Sequence, residues 1–83
     1  MSAKRTKNVF YVVDVENKEY LTGVRSVGVG ADPVFTWEEL GKTAPNPEQV
    51  LQFETHDAVS AVANFLTWFY ETQFVVRVLK LSE

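Results

Sequence analysis

"FETHDAVSAVANFLTWFYET", residues Phe53–Thr72, decides how this chain is built. Thr55 stands directly ahead of an apolar-periodic run, the place of a helix N-cap. Asp57 adds a negative charge to the first turn, where the helix dipole favours one. From Ala58 to Tyr70 there is no charged residue. At about 100° per residue, Ala58, Val62, Phe65, Leu66 and Phe69 share one face, the face expected to cover a sheet. Ser60, Asn64, Thr67 and Glu71 form a single narrow polar stripe. The remaining apolar arc is about 200° wide, whereas a helix on one sheet needs a stripe only somewhat over 100°. Trp68 and Ala61 lie on one flank of that arc and Val59, Ala63 and Tyr70 on the other. Either the large rings reach round to cover the sheet edges, or one flank is a contact surface for another protein or a second copy.

On either side of this helix the pattern changes to strands. "VFYVVDV", Val9–Val15, is β-branched and aromatic throughout, and "YLTGVRSV", Tyr20–Val27, alternates with period two. "ENKE" between them is a polar turn, so the pair reads as a hairpin, with Gly23 marking a bulge or a close backbone approach. "VFTW", Val34–Trp37, has two competing readings. It is a short strand, or the lead-in to a helical turn with Thr36 and Glu39 as a capping box and Gly41 as its stop; the strand is preferred. Asn46 and Pro47 fit an N-cap and first helical position, giving one turn through Val50. "QFVVRVLKL", Gln73–Leu81, is the closing strand. The expected fold is therefore α+β: an antiparallel sheet of three or four strands with one main helix packed on one face.

In the first and last strands both faces are largely apolar: Val9, Tyr11 and Val13 alternate with Phe10, Val12 and Asp14, and Phe74, Val76 and Val78 with Val75, Arg77 and Leu79. One helix covers one face only, and each apolar side chain left in water forgoes roughly 1.5–3 kcal/mol. The second face therefore needs a cover, from loop residues such as Phe35 and Trp37 or from a partner.

Eighty-three residues suit one domain, expected over 9–83 behind a basic flexible tail at 1–8 that carries Lys4, Arg5 and Lys7. The chain has no cysteine, which excludes disulfides and thiolate metal sites. The short apolar run after the basic start does not fit a secretory signal, no stretch approaches the roughly 18 apolar residues of a membrane span, and a cytoplasmic protein is expected. From Asn8 onward there are eleven acidic and five basic residues, and between Asp32 and Asp57 six acids face one base, Lys42. Such a body repels phosphates, which argues against nucleic acid and suits a basic protein surface. The three tail charges could add only a modest, salt-sensitive contact to nucleic acid.

Motifs for chemistry are sparse. Gly28 and Gly30 lack the third glycine and the helix of a dinucleotide fingerprint, and "GKT" at Gly41–Thr43 lacks the upstream glycine of a phosphate loop, where Thr36 stands. Glu54, His56 and Asp57 form the single catalytic-looking cluster, yet consecutive helical residues point about 100° apart. With one histidine, a metal site would need carboxylates to complete it.

The residues Tyr11, Val13, Tyr20, Leu21, Trp37, Phe53, Thr55 and Ala58 or Val59 give the chain a likeness to a family of small phage and prophage proteins. These open with a Tyr-x-Val and a Tyr-Leu strand, carry a central aromatic, enter a helix through Phe-x-Ser/Thr and close on a valine-rich strand. The match spans most of the chain and departs in the helix, which is usually charged in those proteins and is "AVSAVANFLTWFY" here. The resemblance implies a compact strand-and-helix fold and a phage origin, and brings no catalytic residues. Small acidic phage proteins include inhibitors of host defence, such as anti-CRISPR proteins, that occupy a basic nucleic-acid site.

Together these features lead to the expectation of a non-enzymatic protein-interaction module without cofactor or metal, binding a host protein or a second copy. Its expected contact residues are Trp68 and Tyr70 on the helix flanks and the acids Glu38, Glu39, Glu48, Glu54 and Asp57. The rival is a small metal-dependent enzyme or hydrolase around Glu54, His56 and Asp57.

Overall fold

A computed structural model describes residues 6–26, 28–30 and 32–82. Four strands and one helix follow in the order β1 (Thr6–Asp14), β2 (Glu19–Arg25), β3 (Val34–Glu39), α1 (His56–Tyr70) and β4 (Phe74–Ser82). They form a single antiparallel sheet of order β3-β2-β1-β4, so the expected α+β architecture is present. No helix among the described residues is long and apolar enough to cross a membrane.

Val34–Glu39 is a strand, paired with β2 from Arg25↔Val34 to Glu19↔Glu39, which disposes of the capping-box alternative at Thr36. The register slips between Leu21 and Gly23, so the glycine does mark a bulge. A Cβ at Gly23 would lie 3.0 Å from Thr36 Oγ1, so a side chain there would press on β3. β1 begins at Thr6 rather than Val9, because Thr6, Lys7 and Asn8 pair with Ser82, Leu81 and Lys80. Lys7 and Asn8 thus belong to the sheet and not to a tail; Lys4 and Arg5 lie outside the described residues, as does Val27 of the expected second strand.

β1 and β2 stay together only at Val13↔Tyr20 and Asp14↔Glu19. Beyond that point a third segment enters between them. Leu51 N–H donates to Leu21 O at 3.0 Å, and Phe10 and Phe53 exchange backbone bonds of 2.8 and 2.9 Å. Backbone groups that the widening fork would leave unpaired find partners in this inserted segment. Val50 and Leu51 then point to opposite sides of the sheet, each into a different core.

Both faces of the sheet are covered at its centre, which explains why the strands there are apolar on both sides, while Val24 and Val78 stay about half exposed. On one face α1 lays Val59, Ala63 and Leu66 onto Val12, Leu21 and Phe74. On the other, Val9, Tyr11, Val13, Tyr20 and Leu79 are closed by Val50 and Leu40, with Pro45 also buried in the intervening loop. The cover is therefore the 40–50 segment. Phe35 and Trp37, expected there, pack on the helix side instead, since Trp37 stands opposite Leu21 and both rings join the α1 core. The turn at Pro47 is held as expected by Asn46, whose Oδ1 accepts from Glu48 N–H at 2.9 Å and whose carbonyl accepts from Gln49 and Val50.

α1 is capped by Thr55, whose hydroxyl accepts from Ala58 N–H at 3.2 Å. The helix is, however, turned about 80° from its expected orientation, at 3.6 residues per turn. Val59, Ala63 and Leu66 are buried, whereas Ala58 and Phe65, expected to face the sheet, are exposed. Of the two flanks, the one with Val59, Ala63 and Tyr70 meets the sheet, and the one with Ala61 and Trp68 faces water.

Candidate functional site

The hairpin turn after β1 is fixed by a buried carboxylate. Asp14 is 4% exposed; its Oδ1 accepts from the backbone N–H groups of Glu16 and Asn17, and its Oδ2 from Asn17 Nδ2 at 2.7 Å. A carboxylate can be held in a protein interior when its lone pairs are met in this way. The same turn closes with Lys18 at φ 56°, and Thr72, just beyond α1, hydrogen-bonds the Glu16 carboxylate.

Sheet register places Asp14 beside Glu19 on β2 and Phe74 on β4, and Glu19 beside Glu39 on β3. Three carboxylates therefore form one cross-strand row on the face that carries α1. Like charges directly opposite on a sheet are destabilising. The C-terminus of α1 arrives at the same place, with no basic residue in its last turn. Glu71 there adopts the left-handed conformation (φ 56°, ψ 35°) that favours glycine, and puts an acid where the helix dipole disfavours one.

Against this row stand aromatic rings. Trp37 meets Tyr70 edge to face at 6.3 Å and lies tilted on Phe74 at 5.5 Å, and Tyr70 meets Phe74 at 5.9 Å. Rings and acids enclose an open cleft of about 340 Å³, lined by Asp14, Glu16, Asn17, Glu19, Trp37, Tyr70, Thr72 and Phe74. Its three acids face no basic side chain among the described lining residues. That is a surface for an organic cation: carboxylates supply charge, and the ring faces supply cation–π attraction of about 0.5–2 kcal/mol.

The expected site residues are distributed unevenly around this cleft. Tyr70 is in its wall, and Glu39 ends the acidic row. Glu38, opposite Tyr20, points to the other face of the sheet, where Glu48 also lies in the covering loop, exposed. Glu54 and Asp57 sit at the far end of α1, about 20 Å away along the helix axis. Glu54 there pairs with Lys7 at 3.1 Å, both exposed. The acids do not form one patch, because the chain between Asp32 and Asp57 wraps around both faces. Trp68 is 75% exposed on the outward flank and does not line the cleft. Sequence reasoning missed Asp14, Glu16, Glu19, Trp37 and Phe74 as site residues; the closely spaced acids of the first hairpin were the available signal.

His56 is exposed in the first turn of α1, edge-on to Phe10 at 5.7 Å, and its Nδ1 lies 3.3 Å from Ser60 Oγ. No group of three His, Asp or Glu side chains placed to hold a metal ion occurs among the described residues. No protein-family model matches the chain, and no curated protein or solved structure matches it either.

Proposed function

We propose that the protein is a non-enzymatic binding module that takes a lysine or arginine side chain of a basic protein partner into the cleft between Trp37, Tyr70 and Phe74. The observation that carries this reading is the meeting of three aromatic rings with Asp14, Glu16 and Glu19 on one concave surface. Several residues around that surface are poor choices for stability alone: the facing pair Glu19 and Glu39, and Glu71 at the helix C-terminus. Rules broken together at one place are what a functional or strained site is expected to show, and this supports the reading. An incoming cation would relieve the repulsion within the row and so gain affinity from it. At about 340 Å³ the cleft is at the small end of ligand sites, which run from about 300 to 1,000 Å³, and it accommodates one side chain more readily than a cofactor.

The likeness to phage proteins would make that partner a host protein, and the module an inhibitor of the surface it covers. The exposed acids Glu38 and Glu48, on the other face, would then act at longer range, raising the association rate with a basic partner in a salt-dependent way. The rival reading, a hydrolase around Glu54, His56 and Asp57, draws on the contact between Ser60 and His56, a hydroxyl beside a base. Nucleophilic catalysis further needs a third group that orients the base, and His56 stands exposed at the helix surface with Phe10 as its ring neighbour.

Trp37 provides the test. In a Trp68→Phe variant it is the one remaining tryptophan, and its emission reports on the cleft. Titration with a short peptide containing arginine and lysine is expected to give a saturable change. Raising the salt concentration should weaken that change, and the Glu16→Gln/Glu19→Gln double variant should weaken it about tenfold, corresponding to about 1.4 kcal/mol. Emission that stays constant up to millimolar peptide, or a response indifferent to salt and to both glutamates, would sink the reading.

A further inference from the structure

We infer that the outward face of α1 is the seat of a two-fold symmetric dimer of this chain, with the two copies of the helix packed antiparallel. The face consists of Ala58, Ala61, Phe65 and Trp68, all exposed, with Phe65 at 40% and Trp68 at 75%. They follow one another at spacings of three and four and so form one continuous stripe. The stripe does not end at the helix: Phe65 touches Phe35 on β3 with ring centroids 6.2 Å apart, and Phe35 stands opposite Val24, itself 51% exposed. An apolar surface that runs from a helix onto a neighbouring strand is larger than scattered exposed residues produce.

Two features choose a second copy as its occupant. The first is charge. The chain carries eleven acids against eight bases, a net charge of −3, so two copies are like-charged. The stretch from Ala58 to Tyr70 has no charged residue and Asp57 borders the stripe one turn before Ala61, so a like-charged copy meets less repulsion here than at the acidic cleft. A basic partner, by contrast, finds little on it to pair with beyond Asp57 at its edge.

The second feature is shape. The stripe has two small residues in its N-terminal half, Ala58 and Ala61, and two large ones in its C-terminal half, Phe65 and Trp68. A two-fold interface is self-complementary, in that residue i meets residue j and residue j meets residue i. Antiparallel pairing about the middle of the stripe sets Ala58 against Trp68 and Ala61 against Phe65, in both directions at once. Each ring then enters the space above an alanine, the alternation of large and small by which facing layers interdigitate. Parallel pairing would stack ring on ring and leave gaps between alanines. The stripe is about 15 Å long at 1.5 Å per residue, a small contact, and a micromolar dimer is the expected strength. The cleft lies on the flank that faces the sheet and stays open in such a dimer.

Sedimentation velocity of the full chain across a concentration series tests the inference, with circular dichroism confirming that each variant is folded. The wild-type chain is expected to pass from monomer to dimer over the micromolar range. Ala61→Phe should set ring against ring and raise the dimer dissociation constant at least tenfold, and Phe65→Ala should raise it by removing the opposing ring. The double variant Ala61→Phe/Phe65→Ala exchanges the two partners of the pair and should restore dimerisation, which only antiparallel self-pairing predicts. A chain that is monomeric at several hundred micromolar overturns the proposal. So does a dimer that Ala61→Phe leaves intact, or a folded double variant that associates no better than either single one.

Discussion

The two ends of α1 are built on opposite principles. At the N-terminal end every local preference is respected. Thr55 caps the helix, Asp57 lies in the first turn, Lys7 pairs with Glu54, and Phe10 packs edge-on against His56. At the C-terminal end they are set aside. A glutamate takes the left-handed position, no base sits in the last turn, and a row of carboxylates crosses the sheet beneath. The same short helix thus separates a part that serves stability from a part where stability has been spent. The catalytic-looking cluster Glu54–His56–Asp57 belongs to the first part, and the aromatic and acidic cleft to the second.

Substitutions can break or sharpen that contrast. The largest effect is expected at Asp14, the one acid of the row with a structural task. Asp14→Ala strips three hydrogen bonds from the hairpin turn and should cost about 2 kcal/mol in urea unfolding. A loss below about 0.5 kcal/mol would mean that the turn holds without its carboxylate. Next comes a pair of opposite sign. Thr55→Ala should lose about 1 kcal/mol by removing the cap, while Glu71→Gly should gain about 1 kcal/mol by relieving both the left-handed backbone and the charge at the helix C-terminus. In a domain this size each shifts the melting temperature by about 4–8 °C, in opposite directions. Should Glu71→Gly melt at a lower temperature, the two ends would not differ in the way described. The smallest effect is expected from Glu54→Gln, which breaks the ion pair with Lys7. Because both side chains are well exposed, stability should change by less than about 0.5 kcal/mol, and a larger change would make that pair structural.

Much of the fold was legible because it rests on local chemistry. The Thr55 and Asn46 caps, the bulge at Gly23 and the strand at Val34 each follow from a few neighbouring residues. The rotation of α1 was not, for a physical reason. Its polar stripe of Ser60, Asn64, Thr67 and Glu71 suggested a buried face directly opposite, but the stripe borders the buried face instead, and the apolar arc extends on into water through Phe65 and Trp68. A surplus of apolar surface leaves the orientation of a helix undetermined by pattern alone. The covering of the second sheet face was equally hidden. It depends on Leu40, Pro45 and Val50 folding back from a loop whose own sequence reads as a turn and little else. The cleft was half legible. Trp37 and Tyr70 drew attention as aromatics, but the acids that join them come from the first hairpin, and only register brings Asp14, Glu19 and Glu39 into line.

The segment Leu51–Phe53, lodged between β1 and β2, has a consequence for the order of events in folding. A hairpin usually zips from its turn outward, each pair easing the next. Here the zipper stops after Val13↔Tyr20, and the amide of Phe10 must wait for Phe53, far along the chain, before it is bonded. Closing that loop costs chain entropy before any contact repays it, and folds dominated by such distant pairings form slowly. The central strand is therefore finished last on that side. Until it is, the nascent hairpin exposes an unfilled edge to any other strand within reach.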